Sequence, residues 1–215
     1  MNTNPLNILG AVTAAVLLCI GCSTKPEPIG RSTYASIFDG ETFACWEGNL
    51  DSFRIEDGAI VGGSLDESVP RNEFLATIAV YEDFELTVTF KLLGEDANAG
   101  IQFRTKRISD HHEVSGYQAD MGQQFWGSLY DESRRRIVIA QADMDIVKTL
   151  IRHADWNEYR IRCEGPRIQL WLNGTRTVDY IEQDETIPRS GIIALQIHGG
   201  PPSEAWYKDI RIQQL

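Results

Sequence analysis

From residue 34 onward, apolar and polar positions alternate with a period of two. Residues 85–92 show it most clearly. Leu86, Val88, Phe90 and Leu92 fall on one face, and Glu85, Thr87, Thr89 and Lys91 on the other. That is the period of a strand with one buried face. Tyr159, Ile161 and Cys163 alternate in the same way with Arg160 and Arg162. Ile168, Leu170 and Leu172 alternate with Gln169, Trp171 and Asn173. Asn173-Gly174 and Asp57-Gly58 are two-residue hairpin signals, because the tight turn needs positive φ at both positions. The first leads into a strand at 175–180, and the second joins 53–55 to 59–61. Residues 191–198 and 206–212 read as two more strands. The stretch 131–149 is ambiguous, with Arg134-Arg135-Arg136 reading as a solvated loop. No long helical period runs through the chain. The expectation is an all-β antiparallel sandwich.

The N-terminal segment is different. Residues 8–20 form an almost unbroken apolar run, shorter than the roughly 20 residues that span a bilayer. It reads as the core of a signal peptide covering residues 1–21. Gly21-Cys22 ends it, a small residue before a cysteine, similar to the bacterial lipobox. The flanking residues depart from that pattern: no Lys or Arg precedes the run, and Cys19 stands where Leu is usual. The alternatives are a plain secretory signal or an uncleaved anchor. The expectation is a lipid on Cys22, a polar tether over 22–33, and one domain over 34–215. The chain would then be exported and held at the periplasmic or outer cell surface. Cys45 and Cys163 remain in the domain. In an oxidising compartment they are expected to form a disulfide; the other reading is two separate buried thiols.

Charge narrows the partners. The 215 residues carry a net charge of −11. Such a chain is a poor nucleic-acid binder, since that affinity comes from Lys and Arg meeting phosphate. It is also poorly suited to anionic membranes except through a lipid anchor. His111-His112 reads as part of a solvated loop.

Three strands carry polar residues on one shared face. Gln102 and Arg104 oppose Ile101 and Phe103. Gln118 and Asp120 oppose Tyr117, Ala119 and Met121. Gln196 and His198 oppose Ile193, Leu195 and Ile197. If these strands are neighbours, Arg104, Gln118, Asp120, Gln196 and His198 converge on one patch. Trp126 and Tyr130 are placed to wall it.

Several motifs occur in order along the chain. They are Ile37-Phe38-Asp39-Gly40, Asn98-Ala99-Gly100-Ile101-Gln102-Phe103-Arg104, Gly116-Tyr117-Gln118, Gly127-Ser128-Leu129-Tyr130, Leu172-Asn173-Gly174 and Ile193-Ala194-Leu195-Gln196-Ile197-His198-Gly199. In that order they resemble the 3-keto-disaccharide hydrolase family, also called domain of unknown function 1080, over residues 34–215. The resemblance implies a concanavalin A-like jelly roll with the polar patch on its concave face. It also implies cleavage of glycosides oxidised at C3, by elimination and hydration or by hydrolysis. The family commonly has Glu after Gly-Tyr and Gln two residues later; here Gln118 and Asp120 stand in those places.

The implied chemistry needs a base for the proton on C2, a partner for the enolate oxygen and an acid for the leaving oxygen. Asp120 and His198 are the acid and base candidates. Arg104 is the oxyanion partner, or else a structural mate of Asp120. A divalent metal held by Asp120 and His198 is the alternative partner. Gln102, Gln118 and Gln196 suit sugar hydroxyls, because an amide both donates and accepts. Trp126 and Tyr130 offer ring faces to a pyranose. The expected partner is a small-molecule or oligosaccharide substrate. The competing reading is a non-catalytic glycan-binding module of the same fold.

Overall fold

A computed structural model describes residues 33–215. The signal peptide, Cys22 and nearly all of the tether lie outside the described residues. The first strands in chain order are β1 (Ala35–Ser36), β2 (Trp46–Glu47), β3 (Phe53–Glu56), β4 (Ala59–Ser64) and β5 (Glu73–Thr77). Next come β6 (Phe84–Leu93), β7 (Asn98–Arg107), β8 (Val114–Gly122), β9 (Leu129–Glu132) and β10 (Val138–Ala140). A short helix, α1 (Met144–Leu150), follows. The chain ends with β11 (Asn157–Glu164), β12 (Arg167–Leu172), β13 (Thr175–Ile181), β14 (Ile192–Ile197) and β15 (Ser203–Gln214).

These strands form two antiparallel sheets. The first runs β13-β12-β11-β6-β15-β4-β3, with β1 also paired to β15. The second runs β10-β9-β8-β7-β14-β5-β2. The two sheets pack as a jelly-roll sandwich. Along β6, buried and half-buried residues alternate over the whole strand, the period seen in the sequence. Phe84, Leu86, Val88 and Phe90 face inward with Tyr159, Ile161, Ile168 and Leu170. Opposite them lie Ile101, Phe103, Ala119, Met121, Ile193, Leu195 and Ile197 of the second sheet. Each fully buried Leu, Ile or Phe contributes about 1.5–3 kcal/mol. Asp57-Gly58 and Asn173-Gly174 are both left-handed pairs, with φ of 49° and 71° and of 48° and 83°. They close the β3–β4 and β12–β13 hairpins as the turn chemistry requires.

The sequence left 131–149 ambiguous. It contains β10 and α1, the latter capped by the Asp143 carboxylate, which accepts from the Asp145 and Ile146 N–H groups. Of the three arginines before it, Arg136 is exposed as expected, but Arg134 and Arg135 are half-buried rather than solvated. Arg134 and Arg135 both bond the wholly buried Asp131, and Arg135 also bonds Glu182 at 2.8 Å. An isolated buried carboxylate is costly, and this pairing offsets the cost.

Arg104 also departs from the expected pattern. A β-bulge between Phe103 and Lys106 interrupts the β7–β8 register, and Arg104 takes a φ of +46°. The bulge carries its side chain off the polar face. The guanidinium is buried and donates to Glu82 O at 2.8 Å, Gly165 O at 2.7 Å and Asp83 Oδ1 at 2.7 Å. Gly165 N–H donates to the same Asp83 oxygen. Arg104 thus ties the second sheet to the β11–β12 turn and to the start of β6. Nor is the disulfide made. Cys163 is a free thiol on the inner face of β11, while Cys45 packs against the core beside β2. Burial pushes the Cys163 thiol up to about 12, so it stays protonated at neutral pH.

Arg104→Ala leaves the Glu82 and Gly165 carbonyls without this donor and Asp83 with only the Gly165 N–H. It should lower the unfolding free energy by about 1–3 kcal/mol, the scale for leaving buried acceptors without their donor, as read by urea denaturation. A loss below 0.5 kcal/mol would show that the clamp is not structural.

Candidate active site on the outer face of the second sheet

The register of the second sheet sets the site. Gln102 of β7 lies opposite Gln118 of β8, and Gln118 lies opposite Tyr130 of β9. Gly100 separates Asp120 on one side from Gln196 of β14 on the other. Glu132 lies opposite Gly116. Their inward neighbours fill the core, so these side chains share the outer face.

The amides and carboxyls there form two chains of hydrogen bonds. Gln102 Nε2 donates to Gln118 Oε1, and Gln118 Nε2 donates to Asp120 Oδ1 at 3.0 Å. Gln196 Nε2 donates to Glu132 Oε2 at 3.4 Å. Gln118 reaches across β7 because position 100 is glycine: a Cβ there would sit 2.3 Å from Gln118 Cδ. Asp120 is 4% exposed, and Gln102 and Gln196 are fully buried. Gln102 Oε1 and Gln196 Oε1 accept no hydrogen bond. Two buried acceptors without donors are costly, and they offer places for hydroxyl groups.

Burial also governs the charges. It raises the Asp120 carboxyl from 3.8 to about 7. The Gln118 amide and the Met121 N–H oppose the rise, and the nearby Glu132 charge adds to it. Glu132 is likewise held up, first by burial and then by the Glu113 charge, against the Ser133 N–H, Gln196 and Arg136. Asp120 therefore sits near the midpoint of its titration at neutral pH, where one group can both give and take a proton.

Two tyrosines of the first sheet hold this face from behind. Tyr159 OH donates to Asp120 O and accepts from Gly127 N–H at 2.8 Å. Tyr207 OH reaches Gln196 O at 2.6 Å and Gly100 O at 3.3 Å.

His198 continues the β14 alternation one step beyond Gln196, with its N–H bonded to Asn98 O. It is exposed and makes no bond to Asp120. Its Nδ1 lies 2.7 Å from Gly199 O. A carbonyl only accepts, so Nδ1 carries a hydrogen, and in the neutral ring the lone pair is then on Nε2. The Gly199 N–H donates to Asn72 Oδ1, and Asn72 O accepts from His112 Nδ1 at 2.9 Å. Asn72 thus bridges the His111-His112 loop and the turn that carries His198.

The structure brings together Asp120, Gln102, Gln118, Gln196 and Tyr130, with His198 at the edge. It does not bring Arg104 or Trp126. The Trp126 ring stacks on Phe90 at 6.2 Å, and Phe90 stacks on Tyr159, so Trp126 belongs to the edge of the core. Glu132 was missed. It lies in the stretch 131–149 that the sequence leaves ambiguous, although Tyr130 and Glu132 alternate as β9 requires. Among the described residues no group of three or more His, Cys, Asp or Glu side chains is arranged to hold a metal.

The chain matches the 3-keto-alpha-glucoside-1,2-lyase-like domain over residues 33–213. It belongs to that family. No curated protein is significantly similar to it. Among solved structures it resembles two candidate glycosyl hydrolases from Parabacteroides distasonis ATCC 8503. One is 18% identical, with 85% of this chain and 94% of the other covered and a TM-score of 0.64. The second is 20% identical, with 85% and 100% covered and the same TM-score. The carbohydrate-binding module CBM66 from Bacillus subtilis is 14% identical, with 79% and 96% covered and a TM-score of 0.62. At these identities the likeness shows the fold.

In the unfolded chain the Asp120 carboxyl titrates near 3.8, and in the folded one near 7. Between these values the folded protein keeps a proton that the unfolded chain has released. Stability therefore falls as pH rises through that window and stays lower above it. Asp120→Asn removes the effect. It should be more stable than the wild type at pH 8 by as much as about 4 kcal/mol, with no such gain near pH 3.5. Equal stability gains at both pH values in thermal melts would contradict this.

Proposed function

We propose that this protein cleaves glycosides oxidised at C3 of the sugar, by elimination across C1 and C2. Family membership and the jelly-roll fold give it a glycan-directed function. The observation that carries the finer reading is the Asp120 carboxyl, held near 7 among amides with unfilled acceptors.

A 3-keto group acidifies the hydrogen on C2. His198 in its neutral form takes that proton on Nε2. The C2–H electrons pass onto the 3-keto oxygen as an enolate, which collapses to restore the ketone, form the C1–C2 double bond and break the C1–O bond. Asp120, in its protonated form, gives its hydrogen to the departing oxygen and is left as the carboxylate. Exchange with water returns both groups to their starting states. Arg104 serves elsewhere, so the enolate oxygen takes hydrogen bonds from the amide N–H groups of this face and from Tyr130. The Gln118 amide exchanges its bond to Asp120 for one to the sugar as the ligand enters. Gln102 Oε1 and Gln196 Oε1 accept from sugar hydroxyls.

The second reading is a glycan-binding module without turnover. The close packing of the site favours it, because Asp120, Gln102 and Gln196 are covered by their neighbours. Incubation with a 3-keto-glucoside and with the matching unoxidised glucoside separates the two. Release of aglycone is expected from the oxidised compound alone. Asp120→Asn and His198→Ala should each lower it by about a hundredfold or more, the scale for a lost acid or base. Binding of both glycosides without release from either would establish the second reading. Full activity in both variants would place the chemistry elsewhere.

A further inference from the structure

Trp126, absent from the Asp120 face, lines a cavity of its own. The cavity has a volume of about 310 Å³ and lies between α1 and the β8–β9 turn. That is at the small end of the range for small-molecule sites. Its floor is apolar: Trp126, Met144 and Ile151 are half-buried and Val147 is buried. Its rim is polar: Gln123, Gln124, Lys148 and His153 are all exposed. The buried indoles Trp46 and Trp206 donate their N–H groups to Ile37 O and Glu204 Oε2. Among the described residues the Trp126 indole N–H has no such acceptor, and the His153 ring has no hydrogen-bond partner.

We propose that this cavity binds a single unoxidised pyranose ring, stacked on Trp126, at a site separate from the Asp120 face. The ligand class follows from the two halves of the cavity. A wholly apolar ligand would leave the rim amides, imidazole and ammonium unused. A wholly polar one would leave the indole and the aliphatic floor uncovered. A pyranose has an apolar C–H face and a ring of hydroxyls, and it matches both. The Trp126 N–H and the His153 ring supply unfilled polar positions beside that face. The Asp120 carboxyl points to the outer side of the second sheet, while Trp126 stacks on Phe90 of the first. The two sites therefore lie on different sides of the second sheet. The proposal stands whether or not the Asp120 face turns over 3-keto-glycosides.

The test uses the purified protein with ¹⁵N-labelled tryptophan. It is titrated with methyl β-glucopyranoside, methyl β-galactopyranoside and methyl α-mannopyranoside, with phenol as the aromatic control. Substitution of Trp126 assigns its indole N–H resonance. At least one glycoside should shift that resonance in a saturable way, and phenol should not. Gln124→Ala with His153→Ala should weaken the binding about tenfold or more. Both residues are exposed, so the variant should melt with the wild type. Turnover of a 3-keto-glucoside, where present, should be unchanged in this double variant. No shift with any of the three glycosides, a shift with phenol alone, or unweakened binding in the double variant would overturn the proposal.

Discussion

A carboxyl taken out of water must be protonated, paired or well supplied with donors. Asp120 has no cation beside it. It has one amide donor in Gln118, one backbone donor in Met121 and a second raised carboxyl, Glu132, nearby. It therefore holds its proton to about neutral pH. The rest of the outer face is arranged around that fact. Gly100 leaves room for Gln118 to lie across β7 and reach Asp120. Gln102 holds the other end of Gln118, and Gln196 turns to Glu132. Larger residues at position 100 would push Gln118 away and strip Asp120 of its side-chain donor.

The sandwich keeps this layer rigid from the opposite side. Tyr159 and Tyr207 project from the first sheet and bond the backbone carbonyls of Asp120, Gln196 and Gly100. Each hydroxyl would be an unpaired buried group without that bond. Core packing and site geometry are thus coupled through the same two side chains. Arg104 joins the sheets again at the bulged end of β7, through Glu82, Asp83 and Gly165. Its charge is committed to the scaffold, which leaves amide and hydroxyl dipoles to face the substrate.

Much of this was legible in the period-two pattern. The alternation placed Gln102, Gln118, Asp120 and Gln196 on one face, and the register made them neighbours. Arg104 escaped because a bulge shifts the alternation by one step, and nothing in the sequence from Gly100 to Arg107 marks where it falls. Trp126 escaped because it sits in a turn, where strand period says nothing about direction. Glu132 was hidden by the three arginines after it, which read as solvated although Arg134 and Arg135 are drawn in by buried Asp131. Thiol pairing depends on distances in the fold rather than on spacing, and Cys163 faces the core of the first sheet while Cys45 lies beside β2 of the second. Burial of the polar face was also unforeseen, since alternation tells which side a residue takes but not what lies over it.

The central claim is that Asp120 is a buried carboxyl that titrates near neutrality. Infrared difference spectra of the wild type against Asp120→Asn, recorded from pH 3 to pH 9, test it directly. A protonated carboxyl band present only in the wild type should persist at pH 5 and be lost with a midpoint of about 7. Loss of that band with a midpoint near 4, the ordinary carboxylate range, would contradict the account.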